Sequence, residues 1–135
     1  MTGAAIIIYQ ENKVLLQKRK DNGYWAIHGG AVEIGEIVEE AAKRELYEET
    51  GLIANNIVLF DVYSGEDRLF TYPNGDKVYL IGIVYMCKDF SGNLKLETDE
   101  TSDLKWFKVN EYPEHIHPPN KRLLDDFAKY IIHTK

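Results

Sequence analysis

Three glutamates fall within five residues of this chain, Glu45, Glu48 and Glu49, with Arg44 directly before them. On a helical wheel that starts at Val38 and advances about 100° per residue, Glu45 and Glu49 fall within about 20° of the origin, one on either side, and Glu48 about 80° away. Ala41 and Ala42 share that arc, so the carboxylates lie on the side whose small residues let a helix approach the body of the protein. Glu45 and Glu49 are an i, i+4 pair and Glu45 and Glu48 an i, i+3 pair. Each like-charge pair costs a bare helix a few tenths of a kcal/mol. Either Arg44, expected to neutralise one carboxylate, or a divalent cation must compensate. Hard oxygen donors without His or Cys select Mg²⁺ or Mn²⁺ over Zn²⁺. The alternative is a solvated face laced with Glu39–Lys43, Glu40–Arg44 and Arg44–Glu48 pairs. What precedes the helix argues for chemistry. In the run Gly29-Gly30-Ala31-Val32-Glu33-Ile34-Gly35-Glu36, glycines near a helix N-terminus permit close approach of a phosphate and leave carbonyls free for a cation. Alone, a Gly-Gly pair reads as a turn.

Taken together, Gly30, five residues, Glu36, seven residues, Arg44-Glu45-Leu46, one residue, Glu48-Glu49, one residue and Gly51-Leu52 resembles the Nudix box at every position. Seven fixed identities and two aliphatic positions make a chance match rarer than about one in a million. The resemblance implies a Nudix-type α/β/α sandwich, class α+β, over residues 1–135. It also implies a hydrolase that splits the phosphoanhydride bond of a nucleoside diphosphate linked to another group, with Mg²⁺, or Mn²⁺ in its place. By the same resemblance Glu48 and Glu49 are primary metal ligands, Glu45 is a third ligand or the base for the attacking water, Arg44 orients Glu45, and the Gly29 carbonyl completes the coordination. Glu100, in the acidic loop before Trp106, resembles the family's additional carboxylate ligand. Gly30, Arg19 and Tyr72 are the substrate-binding candidates. One position departs from the family pattern: His28 stands where Pro usually precedes the glycine pair, and it reads as a loop residue or a phosphate-side donor.

The elements that must position these groups are legible as well. Ala4–Tyr9 and Val14–Arg19 read as a β-hairpin, and Tyr24–Ile27 as a short strand ending at Gly29-Gly30. Val38–Glu49 lacks Gly and Pro and reads as a helix capped by Gly51. Ile57–Tyr63, Leu69–Tyr72, Lys77–Cys87 and Leu104–Val109 read as strands, with Pro73-Asn74-Gly75-Asp76 as a hairpin turn. Leu123, Leu124, Phe127 and Ile131 make an amphipathic terminal helix. Strands with one internal and one terminal helix imply a mixed sheet covered on both faces.

With 135 residues and a net charge of −6, the chain suits one domain and not a general nucleic-acid coat. The longest apolar stretch, Val78–Cys87, is too short to span a membrane and reads as a buried strand. The start shows no basic leader, and the single Cys87 fits a reducing compartment, so the expected location is cytoplasmic, with a homodimer admissible. Lys18, Arg19 and Arg68 are cations that could meet phosphates, and Tyr24, Tyr63 and Tyr72 could stack on a base. In the subgroup that cleaves ADP-ribose a proline follows the box closely; here the first is Pro73. Two other functions share this fold: a non-catalytic nucleotide sensor, and a prenyl-diphosphate isomerase, which needs a Cys in its pocket.

Overall fold

The computed structural model describes residues 1–71 and 73–134; Tyr72 therefore lies outside the described residues, as does the Phe70 side chain. Nine strands are present among them: β1 (Thr2–Gln10), β2 (Lys13–Arg19), β3 (Trp25–Ala26), β4 (His28–Ala31), β5 (Leu52–Tyr63), β6 (Leu69–Thr71), β7 (Lys77–Tyr79), β8 (Ile81–Gly92) and β9 (Thr101–Lys108). Two α-helices, α1 (Val38–Thr50) and α2 (Lys121–His133), and two 3-10 turns, Glu66–Arg68 and Pro118–Asn120, complete the described fold.

β1 organises the sheet. It meets β2 at only two positions beside the turn, Tyr9 with Val14 and Gln10 with Lys13, and then the hairpin splays. Into that opening β4 pairs antiparallel with Gly3–Ile6, while β8 lies parallel along the other edge of β1. β2 continues with β3 and β9, and β5 pairs antiparallel with β8 as the outer strand. The sheet is mixed, as expected.

The two-residue period of β1 divides the core. Ala4, Ile6 and Ile8 face one side with Leu15, where Ala41, Ala42 and Leu46 of α1 cover them. Ile7 faces the other side with Val14 and Leu16, covered by Leu123, Leu124, Phe127 and Ile131 of α2. Burying four side chains of that size contributes about 1.5–3 kcal/mol each before chain entropy is counted.

Four expectations need correction. Gly29-Gly30 is not a strand end but the middle of β4, hydrogen-bonded into the sheet beside β1. Lys77–Cys87 is not one strand: it changes partner at Leu80, whose N–H donates to Arg68 O at 2.8 Å, so β7 pairs with β6 and β8 enters the main sheet. Nor is Val78–Cys87 buried throughout, because Tyr79 and Ile81 are exposed. β5 starts at Leu52 rather than Ile57, its pairing with β8 shifted at three bulges that hide the alternation.

Candidate active site

α1 brings its carboxylates to β4 at close range. The Gly51 C-cap has φ 81° and donates its N–H to Tyr47 O at 2.9 Å, ending the helix at Thr50. At Gly30 a Cβ would lie 2.5 Å from the Glu45 Cδ and 2.6 Å from its Oε1, so any side chain there would displace the Glu45 carboxylate. The space over Gly30 that the sequence assigns to a phosphate is thus filled by the Glu45 carboxylate. Gly29 is required by the sheet, since a Cβ would lie 2.5 Å from Ala4 O.

The three glutamates occupy different environments. Glu49 is 5% exposed. Its Oε1 accepts the Gly29 N–H at 3.1 Å and an N–H from Gln17 Nε2. Burial, together with the neighbouring Glu45 carboxylate, pushes the Glu49 carboxyl above the usual carboxylate range, while its Gln17 and Gly29 donors act in the opposite sense. Glu45 has a side chain 15% exposed and held by Arg44, whereas the Glu48 side chain, at 56%, reaches solvent.

Arg44 does more than the single neutralisation expected of it. Its Nε and Nη2 donate to both oxygens of Glu36 at 2.8 and 3.1 Å, Nη1 to Glu45 at 3.0 Å and to Glu48 at 3.3 Å, and Nη2 also to Ala31 O at 3.2 Å. Glu36 is therefore the partner that anchors the guanidinium, and it holds the Arg44 pKa well above its usual value.

A buried chain of polar groups fixes Glu49 from behind. Thr101 Oγ1 donates to Gln17 Oε1 at 2.7 Å, which turns the amide so that Nε2 faces Glu49, Ile27 O and His28 Nδ1. His28 Nε2 meets Leu15 O at 3.0 Å; a carbonyl can only accept, so the ring hydrogen is on Nε2 and Nδ1 accepts from Gln17. His28 is fully buried in β4, and desolvation takes its pKa down to about 4. It is neither a loop residue nor a phosphate donor. Gln17 is the residue that sequence reasoning missed; a polar residue at a core position of β2 was the available signal.

A cavity of about 440 Å³ adjoins Glu49, and Gly29, Arg19, Asp99 and Glu100 also line it. Glu100 thus shares a cavity with Glu49. Arg19 pairs with Asp21 through Nε at 2.9 Å and with His117 through Nη1. Lys18 is exposed on β2. Tyr63 is withdrawn from the stacking candidates: it is buried beneath α2, its hydroxyl donating to Asp126 at 2.7 Å. Tyr24 lines neither this cavity nor the one beside it.

The donor set suits a divalent cation. Among the described residues, the ion pairs of Arg44 go to Glu33, Glu36, Glu45 and Glu48 and leave Glu49 without one, beside the Glu45 carboxylate. All the candidate ligands are hard oxygens, which fits Mg²⁺ or Mn²⁺. As the side chains stand, no three His, Cys, Asp or Glu among the described residues converge closely enough to hold one ion. Glu48, turned outward towards Arg44, would have to swing in.

Known proteins resemble the chain along most of its length. Residues 1–127 match the NUDIX domain. An ADP-ribose pyrophosphatase of Methanocaldococcus jannaschii is 39% identical over 127 residues, covering 92% of this chain and 70% of that protein. The nucleoside triphosphatase NudI of Salmonella typhimurium is 33% identical over 116 residues, covering 78% and 79%. Among solved structures, a MutT NUDIX hydrolase from Burkholderia pseudomallei superposes with a TM-score of 0.79 at 29% identity, covering 92% of this chain and 95% of that one.

Proposed function

The chain belongs to the Nudix family of hydrolases, and on that footing we propose that it hydrolyses a phosphoanhydride bond in a nucleoside diphosphate derivative, with Mg²⁺ or Mn²⁺ held by Glu48 and Glu49. The observation that carries this reading is the Glu49 carboxylate: buried, fixed by Gly29 and Gln17, outside the ion pairs of Arg44, and on the wall of a cavity shared with Glu100 and Arg19.

A bound divalent cation would neutralise the diphosphate, polarise its phosphoryl oxygen and lower the pKa of a bound water. The chain's own residues do the rest. Arg44 holds Glu45 against Gly30, so that its carboxylate takes the proton of the attacking water. Gln17 and the Gly29 N–H keep Glu49 oriented. Arg19, already directed by Asp21, offers donors to the phosphates.

The isomerase alternative needs a thiol in the cavity, whereas Cys87 is buried in β8 and its Sγ donates to Asp89 O. The sensor alternative predicts binding without turnover. The Methanocaldococcus relative returns ADP-ribose, which the late proline had argued against, to the substrates to be tried. We place the activity in the cytoplasm on the strength of the single free thiol.

The deciding measurement is product release from a panel of nucleotide diphosphate derivatives with Mg²⁺, wild type beside Glu49→Gln. We expect kcat to fall at least about a hundredfold in the variant. Equal rates would remove Glu49 from the mechanism, and no turnover with retained binding would favour the sensor.

A further inference from the structure

Arg19 borders the same cavity as Glu49 and Glu100, so its guanidinium stands among carboxylates that the preceding reading leaves to a divalent cation. Its hydrogen bond to Asp21 raises its pKa most; burial opposes the rise, and Glu49 and Glu100 add to it. Both carboxylates therefore attract Arg19. An arginine free to turn would close on them and compete with the cation.

Two acceptors restrain it. Asp21 takes Nε at 2.9 Å and also Nη2, and His117 Nε2 lies 3.2 Å from Nη1. Asp21 alone is a weak restraint, because its side chain is 59% exposed and ion pairs in such positions contribute little against water. His117 is half-buried and stands on a fixed backbone. Its N–H donates to Trp25 O at 2.7 Å, and its carbonyl accepts from Asn120 N at 2.8 Å. On either side the chain is tied to residues 25–27, by Trp25 N to His115 O at 2.8 Å and by Ile27 N to Asn120 Oδ1 at 3.0 Å.

A guanidinium can only donate, so His117 Nε2 accepts and the ring hydrogen sits on Nδ1. That nitrogen is buried and has no partner among the described residues. Moving the hydrogen to Nε2 would set two donors face to face, so the unpaired Nδ1–H goes with keeping an acceptor against Arg19. Asp21 engages Nε and one N–H of Nη2, and His117 one N–H of Nη1, which leaves one N–H on each Nη for a phosphate oxygen.

We propose that His117 is a positioning residue: its Nε2 holds the Arg19 guanidinium off Glu49 and Glu100, so that the carboxylates are left to a divalent cation and the remaining Arg19 donors to a phosphate. The proposal rests on the preceding reading for both the cation and the diphosphate. Without the His117 acceptor, Arg19 and the cation compete for one set of carboxylates. An arginine that closes on them about nine-tenths of the time leaves about one-tenth of the molecules able to take the metal, a loss of roughly tenfold in apparent affinity.

The test is calorimetric binding of Mn²⁺, without nucleotide, to the wild type, to His117→Leu, His117→Gln and Arg19→Met, and to the double variant Arg19→Met with His117→Leu. His117→Leu should bind Mn²⁺ about tenfold more weakly than the wild type, whereas His117→Gln, which keeps an acceptor on a side chain of similar length, should stay within about threefold. In the Arg19→Met background, His117→Leu should change the affinity by less than about twofold, because the competing cation is gone. An equal loss in both backgrounds would mean that His117 only supports the fold, and it overturns the proposal, as does unchanged binding in His117→Leu. If His117→Leu does not fold, the wild type still decides by nitrogen NMR of its imidazoles: a neutral His117 with its hydrogen on Nδ1 is expected, and a hydrogen on Nε2 overturns the proposal. The expected Mn²⁺ pattern without hydrolysis of any nucleotide would defeat the preceding reading alone; hydrolysis that depends on Glu49, with equal Mn²⁺ affinity in wild type and His117→Leu, would defeat this one alone.

Discussion

At the scale of single residues, the site depends on groups that sit behind the carboxylates. Gln17→Leu removes the amide that orients Glu49 and leaves Thr101 Oγ1 without its acceptor. Supports of this kind are worth roughly 10–100-fold in metal affinity. We expect Mn²⁺ titrated calorimetrically to bind about tenfold more weakly to Gln17→Leu; unchanged binding would show that Glu49 holds its orientation without help. His117 gives a prediction about pH. Burial first and Arg19 second lower its pKa to about 4, with Asp21 opposing and Arg68 adding to the effect. The folded protein therefore prefers the neutral ring. The stability His117 contributes is complete above the unfolded value near 6.5 and is lost as the pH falls from there towards 4. Urea midpoints should drop more between pH 7 and pH 4.5 for wild type than for His117→Asn, and equal drops would refute the assignment. The glutamate cluster and its glycines were legible in the sequence because their spacing is fixed. The Gln17–His28 chain was not, because a polar side chain on a strand gives no sign of which buried partner it will meet.

At the scale of elements, α1 is a weakly capped helix held by its end and its face. Its N-cap residue, Ile37, makes no side-chain capping bond and is exposed. Ile37→Ser supplies the missing acceptor and should stabilise the protein by about 1 kcal/mol, seen as a higher Tm with activity retained. Gly51→Ala acts in the opposite sense. Its φ of +81° disfavours a side chain, and the added Cβ would lie 2.5 Å from Asn93 O. We expect a loss of about 1–3 kcal/mol in thermal or urea unfolding. Both ends of this helix were visible in the sequence to within a residue, since the cap glycine and the absence of breakers are local signals. Strand boundaries were less so. The end of β7 is set by hydrogen bonds from Leu80 to Arg68 and from Ile81 to Met1, partners that no local window contains.

Across the whole molecule, the sheet is a partition with the carboxylate helix on one side and α2 on the other, and each layer depends on a few large side chains. Phe127 is fully buried, 5.2 Å from Tyr9 and 5.5 Å from Phe60 in edge-on contact. Phe127→Ala should cost about 3–5 kcal/mol, enough to bring a domain of this size near its unfolding threshold. The two-sided architecture was readable from periodicity, because β1 and α2 each repeat their apolar residues at the spacing of their own structure. The insertion of β4 beside β1 was not, because it depends on a hairpin that opens after two residue pairs.

The parallel match of β1 with β8 also sets a timetable. Thr2 pairs with Ile81 and Ile8 with Cys87, so the central strand finds its neighbour more than half a chain length further along. At roughly 5–20 residues per second, a ribosome delivers that neighbour about 4–16 seconds after β1 has been made. During that interval Ile6, Ile7 and Ile8 have no parallel edge to join. Newly made chains are therefore most prone to clump, or to engage a chaperone, before β8 is released, and loop closure over that span should make refolding slow for a protein of this length.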